Sequence, residues 1–185
     1  MRDQGVPLRR ETFKKLHQRH DLWRWLFSTS LAALFMAFVC FVWFGWVRMG
    51  NDSMAPTLRQ GNLVLVDRLY KYCCKIERTD MVAYYRPGTR ELLIKRVAAT
   101  GGESVSGKNG AVWIDEKYRL NEEAYGVGNT NDFDTVKVPE GYVFVLSDDR
   151  QYLQDSREEG IGCISLDDVV GVIHIRLLPS FRIYQ

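Results

Sequence analysis

The chain has 185 residues, a formal net charge of +2 and a hydrophobic content of 46%, which fits one domain with an appendage and favours no class of charged partner. Of its three histidines only His174 lies beyond the first 24 residues, so a metal site built on histidines is excluded by count. No Cys-x-x-Cys or His-x-x-x-His spacing indicates zinc. The sequence therefore predicts neither a metal nor a cofactor.

An uncharged apolar segment, Trp25 to Val47, predicts a transmembrane helix. Its 23 positions contain no Asp, Glu, Lys or Arg, and at 1.5 Å per residue such a helix spans the hydrocarbon core of a bilayer. A cleaved signal sequence is the alternative, but its apolar core has only about 7 to 15 residues and ends in small side chains. This segment is longer and ends in bulky residues, so we expect a permanent anchor in the lipid bilayer.

The segment before the anchor contains seven basic and three acidic residues. Positively charged flanks stay on the cytoplasmic side of a membrane. The predicted organisation is a cytoplasmic basic tail (1–24), an anchor (25–47) and an exported domain (48–185) at the bacterial inner membrane, with a mitochondrial inner membrane as the alternative. Nucleic-acid binding by the tail is disfavoured, because its basic residues adjoin the anchor and no aromatic side chains are interleaved for stacking.

The exported part is predicted to be mainly β, a compact barrel-like domain carried on the one N-terminal transmembrane helix. Its apolar runs are rich in Val, Ile and Tyr and are separated by Gly, Asn and Asp. An Asn109-Gly110 pair predicts a tight turn. The predicted strands are Leu63–Asp67, Met81–Tyr85, Leu92–Thr100, Ala111–Ile114, Tyr142–Leu146 and Val170–Leu177.

Three cysteines, Cys73, Cys74 and Cys163, lie in the exported part, where disulfides can form. Adjacent cysteines rarely bridge each other, so one interpretation pairs Cys73 or Cys74 with Cys163 and leaves a free thiol. Buried free thiols are an equal alternative.

A lysine on a predicted strand is the best candidate for a catalytic base. Alternation puts Lys95 on one face with Leu93 and Val97, whereas Arg96 points to the other face and is expected to stay hydrated. A base working near neutrality needs its pKa lowered from ~10.4 to roughly 7.5 to 8.5, which takes about 3 to 4 kcal/mol of burial and neighbouring charge. A lysine extending into solvent from an edge strand is the alternative.

His174, the other possible base, alternates with apparent core residues and is predicted on the solvent side of its strand. A Ser-His-Asp triad is therefore poorly supported, and a serine nucleophile would need the lysine. The serine we consider is Ser53, on a short turn directly after the predicted anchor. A third polar cluster, Ser147 to Gly160, follows a strand, and Asp155 and Arg157 are expected to pair there; a solvated acidic loop is the alternative.

Together these three stretches resemble the type I signal peptidases, membrane-anchored Ser-Lys endopeptidases. The segment Ser53 to Leu58 matches the nucleophile motif Ser-Met-x-Pro-Thr-Leu, and Lys95-Arg96-Val97 resembles the lysine motif. Asp155-Ser156-Arg157 with Gly160 matches the Asp-Ser-Arg-x-x-Gly of the last motif. Three motifs in this order behind an apolar segment are far more specific than any one of them.

The resemblance implies a β domain of signal-peptidase type with Ser53 as nucleophile and Lys95 as general base. It also implies supporting roles for Asp155, Arg157 and Ser156. The Ser53 backbone N–H would donate to the oxyanion, and Asn51 stands where many members have a serine that supplies the second donor.

Three positions of the last motif depart from the family. Many members have a serine that hydrogen-bonds the lysine two residues before the aspartate, and this chain has Leu153 there. The usual Gly-Asp-Asn opening reads Ser147-Asp148-Asp149. The sequence therefore leaves open what orients Lys95, and a leucine at 153 is expected to desolvate it further.

The function implied is removal of signal peptides by a membrane-bound serine endopeptidase, with precursor proteins as partners. One alternative is a peptidase or cyclase dedicated to a single pilin or conjugation substrate, working with a secretion or conjugation machinery. The other is a non-catalytic membrane-anchored scaffold in which Ser53 is only a loop residue.

Overall fold

The computed structural model describes the backbone of residues 8–120 and 130–184, and the side chains of those ranges from residue 21 onward. The chain divides into two compact units, Met1–Val42 and Trp43–Gln185. The functional candidates all lie in the second unit.

A single long helix, α1 (Leu8–Trp43), accounts for the apolar N-terminal segment. Its part from Asp21 to Trp43 is long and apolar enough to cross a membrane. The helix ends four residues before the predicted end of the anchor at Val47, because Phe44–Arg48 forms a strand whose main-chain groups pair with the next strand of the domain.

The second unit is mainly β, which confirms the predicted fold class. Its described residues also include a short helix, α2 (Tyr70–Cys73). The strands are β1 (Phe44–Arg48), β2 (Leu63–Asp67), β3 (Met81–Tyr85), β4 (Leu92–Thr100), β5 (Ser104–Lys108), β6 (Ala111–Ile114), β7 (Tyr118–Arg119), β8 (Phe133–Lys137), β9 (Tyr142–Leu146), β10 (Ile164–Ser165), β11 (Val169–Leu178) and β12 (Arg182–Ile183).

Two antiparallel sheets build the domain. The larger has the order β1-β2-β11-β3-β4-β9-β10, with β12 paired to β11, and the smaller has the order β7-β6-β5-β8. Within the described ranges the larger sheet ends at β1 and β10, so it is open and does not close into a barrel. Strand β4 is an inner strand, flanked by β3 and β9.

The two-residue turn predicted at Asn109-Gly110 is present between β5 and β6. Lys108 pairs with Ala111 across it, and both turn residues have positive φ, +55° and +77°. That conformation suits asparagine and glycine and matches the twist of a tight hairpin.

A hydrophobic core fixes the position of the Ser53 turn. Met54 and Leu58, on either side of the cis Ala55-Pro56 bond, are fully buried. They pack in one cluster with Met81 of β3 and Ile94 of β4. Burying two large apolar side chains stabilises the turn by roughly 3 to 6 kcal/mol relative to exposing them, so this loop is held rigidly against the larger sheet.

The cysteines are all free thiols. Cys73 and Cys74 are exposed, and Cys163 is half-buried. The interpretation that pairs Cys163 with one of the two adjacent cysteines is therefore wrong for this structure, and so is burial as the explanation for the adjacent pair.

Candidate active site

Ser53 lies on the turn between β1 and β2 and is 3% exposed. Its backbone N–H donates to Asn51 Oδ1 at 3.1 Å, and its carbonyl oxygen accepts from the Asp149 N–H at 3.0 Å. The main chain of Ser53 is thus fixed on both sides. Within the described part of the chain its Oγ makes no hydrogen bond, so the hydroxyl is free to rotate.

Lys95 lies in the middle of β4 and is 1% exposed. Its Nζ donates one hydrogen bond, to Ser147 Oγ at 2.9 Å. Leu93 and Val97, its neighbours on the same strand face, are buried in the core. The alternative of a lysine extending into solvent from an edge strand is therefore wrong.

The environment of Lys95 favours its neutral form. Burial lowers the pKa of Lys95 from the ordinary 10.5 to about 8, with Asp155 opposing that change and Arg157 adding to it. An ammonium group has three hydrogens to donate, and among the described residues only Ser147 accepts one. A lysine with this pKa is partly unprotonated near neutral pH and can accept a proton.

One short stretch, Ser147 to Asp149, contacts both Ser53 and Lys95. Its first residue accepts the bond from Lys95 Nζ, and its last donates to the Ser53 carbonyl. Residues two apart in a chain are at most ~7 Å from each other between Cα atoms. The nucleophile candidate Ser53 and the base candidate Lys95 therefore each bind the same three-residue segment, Ser147 to Asp149.

Asp155 and Arg157 form the ion pair expected from the sequence. Two guanidinium nitrogens, Nε and Nη2, donate to the carboxylate at 2.8 Å and 2.7 Å. The side chains of Asp155 and Arg157 are 0% and 5% exposed. Arg157 also donates to the carbonyls of Arg150 and Tyr152, while Asp155 Oδ2 accepts from the Ser147 N–H at 2.9 Å. This part of the loop is an ordered network, so the alternative of a solvated acidic loop is wrong for it.

Ser156 fastens the same loop to β9. Its Oγ accepts from the Val145 N–H at 2.9 Å, and its own N–H donates to the Val145 carbonyl at 3.1 Å. Both groups of Ser156 are used by the strand, which gives this residue a supporting position.

A buried ion pair that the sequence reasoning missed joins β4 to the last motif. Arg96 donates to both carboxylate oxygens of Asp148, at 2.8 Å and 2.7 Å, and Thr57 Oγ1 donates to the same carboxylate at 2.6 Å. Arg96 is 8% exposed, so the expectation that it stays hydrated is wrong. The alternation contained a signal for this pair. It places Arg96 on the strand face opposite Lys95, and an arginine buried on that face needs an acidic partner there.

Leu153 does not provide the expected environment for Lys95. Its side chain is 48% exposed and lines a surface pocket with Phe133 and Arg157. The hydroxyl that reaches Lys95 comes instead from Ser147, which stands where the family usually has glycine. A hydroxyl in place of a glycine directly after a buried strand was the signal that could have found it.

His174 lies apart from this network. Its ring packs against Tyr70 with the ring centroids 4.8 Å apart, and within the described residues its Nε2 has no hydrogen-bond partner. It is half-buried, where the sequence predicted a solvent-facing position. A bulge in β11 between Ile173 and Ile175 interrupts the alternation on which that prediction was based.

Comparison with known proteins adds independent evidence. A family model described as "Signal peptidase, peptidase S26" matches residues 22–178. Signal peptidase I of Bacillus amyloliquefaciens is 28% identical over 100% of this chain and 99% of its own length. Signal peptidase I U of Bacillus subtilis (strain 168) is 31% identical over 73% of this chain and 76% of its own length. A crystal structure of a signal peptidase I from Enterococcus faecalis V583 aligns with 29% identity and a TM-score of 0.45, covering 53% of this chain and 96% of that one.

The matched region begins within α1 and extends into β11, so it contains all three motifs, and the bacterial relatives match along most of their length. On this evidence the chain belongs to the signal peptidase family, peptidase S26.

Proposed function

We propose that this protein removes signal peptides from exported precursor proteins, with Ser53 as the nucleophile and Lys95 as the general base. The observation that carries the proposal is the fully buried Lys95, whose Nζ is held at 2.9 Å from Ser147 with a pKa lowered to about 8. The residue that follows Ser147 by two binds the main chain of Ser53. Family membership supports the reaction class.

The mechanism is acyl transfer. Rotation of the Ser53 side chain brings its hydroxyl to the neutral amine of Lys95, which takes the proton as the alkoxide attacks the scissile carbonyl. The lysine ammonium then protonates the leaving amine. That amine is the N-terminus of the mature protein, which departs while the signal peptide stays on Ser53 as an ester. In the second half of the reaction Lys95 takes a proton from water, the hydroxide attacks the ester carbonyl, and the lysine ammonium returns the proton to Ser53 Oγ as the signal peptide leaves.

The oxyanion site requires a change at Asn51. In the present structure the Ser53 N–H donates to the side-chain oxygen of Asn51. This N–H is therefore not free to donate to an oxyanion. Turning the Asn51 amide frees this N–H and presents its own NH2 group to the developing oxyanion. We therefore propose that substrate binding displaces this hydrogen bond.

Among the described strands none pairs with one edge of β4 at Leu92 to Ile94, and this edge offers the place for an extended substrate. The Arg86 N–H donates to the Glu91 carbonyl and the Val97 N–H donates to the Asp80 carbonyl, which shows that Glu91 and Val97 direct their main-chain groups toward β3. Alternate residues of an antiparallel strand bond to opposite sides, so the main-chain groups of Leu92 and Ile94 point away from β3. Strand β9 pairs with β4 only from Arg96 onward. A precursor segment adding here as a strand would lie with its scissile bond beside Lys95.

The rate should depend on pH through Lys95. With the full chain in detergent micelles and a purified precursor, kcat/KM is expected to rise as pH increases and to level off above about 8, because only the unprotonated amine accepts the Ser53 proton. N-terminal sequencing and the mass of the product verify that the cut follows the signal peptide. Hydrolysis adds one water to the products, whereas a cyclase would join the ends without it.

A flat profile between pH 7 and 9 would contradict the role of Lys95, and so would a rise centred near the ordinary pKa of histidine, ~6.5. The Ser53→Ala variant, prepared identically, measures the background cleavage by contaminating proteases.

The exported orientation has its own test in the two exposed thiols of α2 and its C-terminal end. We expect a membrane-impermeant maleimide, added to reduced but unpermeabilised spheroplasts, to label Cys73 and Cys74. Cys163 should react more slowly, since burial raises the pKa of its thiol. A Cys73→Ser/Cys74→Ser variant should lose the rapid labelling, and labelling that requires permeabilisation would place the domain in the cytoplasm.

A further inference from the structure

A fully buried hydroxyl, that of Ser147, is the one side-chain group among the described residues that holds the Nζ of Lys95. We propose that Ser147 is the positioning residue for Lys95, and that its hydroxyl makes, from the first position of the last motif, the contact that many family members make from the position of Leu153. This inference rests on the proposed function for its catalytic meaning.

Strand register explains why this serine meets this lysine. Arg96 pairs with Leu146 and Val97 with Val145 across β4 and β9. One step further in the same antiparallel register sets Lys95 opposite Ser147, and directly opposed residues point to the same face of a sheet. The next residue, Asp148, points to the other face and meets Arg96. The two adjacent residues of each segment therefore serve two different partners.

Two other hydroxyls of the motif segments, those of Thr57 and Ser156, are committed elsewhere. Thr57 Oγ1 donates to Asp148 at 2.6 Å, and Ser156 Oγ accepts from the Val145 N–H. Leu153, at the position where the family has its serine, carries no polar atom and is half exposed. Among the described residues the Ser147 hydroxyl is the one that accepts from Lys95 Nζ.

The position of Ser147 is itself fixed by the Asp155–Arg157 pair. Its N–H donates to Asp155 Oδ2 at 2.9 Å, and that carboxylate is held by the guanidinium of Arg157. The ion pair therefore acts on the base through Ser147. A lysine side chain has four rotatable bonds, and a single fixed acceptor at its tip restricts them to conformations that keep Nζ at Ser147.

The kinetic test removes only the hydroxyl. Ser147→Ala is expected to lower kcat on a precursor by ~10- to 100-fold with KM unchanged, because a misplaced base slows the chemical step without weakening substrate binding. Ser147→Thr keeps a hydroxyl and should recover most of the rate. Ser106→Ala, which removes an equally buried hydroxyl from β5 of the smaller sheet, should leave kcat unchanged.

The pH dependence of thermal stability reports the pKa of Lys95 without an activity measurement. Its folded pKa of about 8 lies below the ordinary 10.5, so the unfolded chain binds more protons between these pH values and native stability rises with pH across that window. Lys95→Met lacks this rise. The Tm difference between Lys95→Met and the unmodified full chain in detergent is therefore expected to be largest below pH 8 and to shrink above it.

The same Tm difference, measured between Ser147→Ala with and without Lys95→Met, shows how the Ser147 hydroxyl changes the pKa of Lys95. Ser147 Oγ accepts a hydrogen bond from the ammonium, so its removal disfavours the charged form and the Tm difference should begin to shrink at lower pH. The midpoint is the pH at which the Tm difference has fallen to half of its largest value. A purely structural role of Ser147 would lower the Tm of both variants in this background alike and leave the midpoint unchanged.

Support requires both the loss of kcat and the displaced midpoint. An unchanged midpoint overturns the proposal whatever the rate, and so does a Ser147→Ala chain with unmodified kcat. If no chain, including the unmodified one, cleaves any precursor, the proposed function fails, while the midpoint comparison still decides whether Ser147 holds Lys95. Should Ser147→Thr fail to fold because its extra methyl group does not fit, the Ser147→Ala comparison remains decisive.

Discussion

Replacing Ser53 with alanine or Lys95 with methionine is expected to reduce kcat/KM by ~10³-fold or more, and the double replacement is expected to cost no more than the larger single effect. A nucleophile and its base act as one unit, so the loss of either removes the function of the other. Methionine has nearly the length of lysine and fills the same apolar space in β4 without an amine. The measurement is precursor cleavage by four full-length chains in detergent at pH 8.5.

The folded state of these variants can be verified separately. Lys95 is 1% exposed and burial disfavours its charge, so Lys95→Met should be at least as stable as the unmodified chain at pH 7. Lys108→Met, at a lysine whose side chain is 55% exposed in the smaller sheet, is the matched control and should keep full activity. Losses that multiply in the double variant would show that the two residues act independently, and the dyad would be wrong.

Replacing Asp148 with asparagine is expected to destabilise the domain by ~3 to 5 kcal/mol. The substitution keeps the shape but removes the charge that two guanidinium donors of Arg96 contact at 2.8 Å and 2.7 Å. The side chains are 10% and 1% exposed, so water cannot replace the lost partner easily. The expected shift is a fall in Tm on the order of 10 °C for a domain of this size, measured by thermal unfolding of the full chain in detergent.

Two further variants separate the buried pair from electrostatics in general. Glu116→Gln breaks an exposed pair with Lys108, whose side chains are 66% and 55% exposed, and should change stability by less than ~0.5 kcal/mol. Arg96→Met with Asp148→Leu removes both charges and should cost less than Asp148→Asn alone. Arg96 also donates to the Thr79 carbonyl at 2.8 Å. A larger loss for the double variant would mean that this bond and the one from Thr57 to Asp148, rather than charge burial, dominate.

Asp148→Asn should also lower activity at temperatures where the chain stays folded. Thr57 of the nucleophile segment, Arg96 of β4 and Asp148 of the last motif meet at one carboxylate. That carboxylate is the direct neighbour of Ser147 in the chain. Loosening it allows the three motifs to move relative to each other, and displacements of ~1 Å are enough to cost ~10²-fold in rate.

The local pattern of apolar residues predicted correctly the strands that consist of a buried apolar run. Strands β2, β3, β4, β6 and β9 have the predicted bounds, because Val, Ile and Leu at successive positions leave few alternatives to a buried strand. Strand β5 was missed, since Ser104 to Lys108 contains serine and glycine and depends on pairing with β6 and β8. Strand β8 was missed because exposed charged residues interrupt its pattern.

The end of the apolar segment shows the limit of hydropathy. Phe44 to Val47 continues the uncharged run of α1, and composition alone assigns it to the same helix. The structure makes it β1, since its main chain finds partners in Leu63–Asp67. Burial and hydrogen bonding to a distant strand decided this boundary, and no local property of the segment encodes it.

By itself the sequence predicted the residues that we propose carry the chemistry, the motif serine Ser53 and the strand lysine Lys95. It also predicted the pairing of Asp155 with Arg157, which lie two residues apart in the chain. Only the tertiary structure decided how the lysine is held. Lys95 and Ser147 are 52 positions apart, as are Arg96 and Asp148. The register between β4 and β9 sets both contacts, and register arises from the packing of the whole sheet, so neither contact can be read from either strand alone.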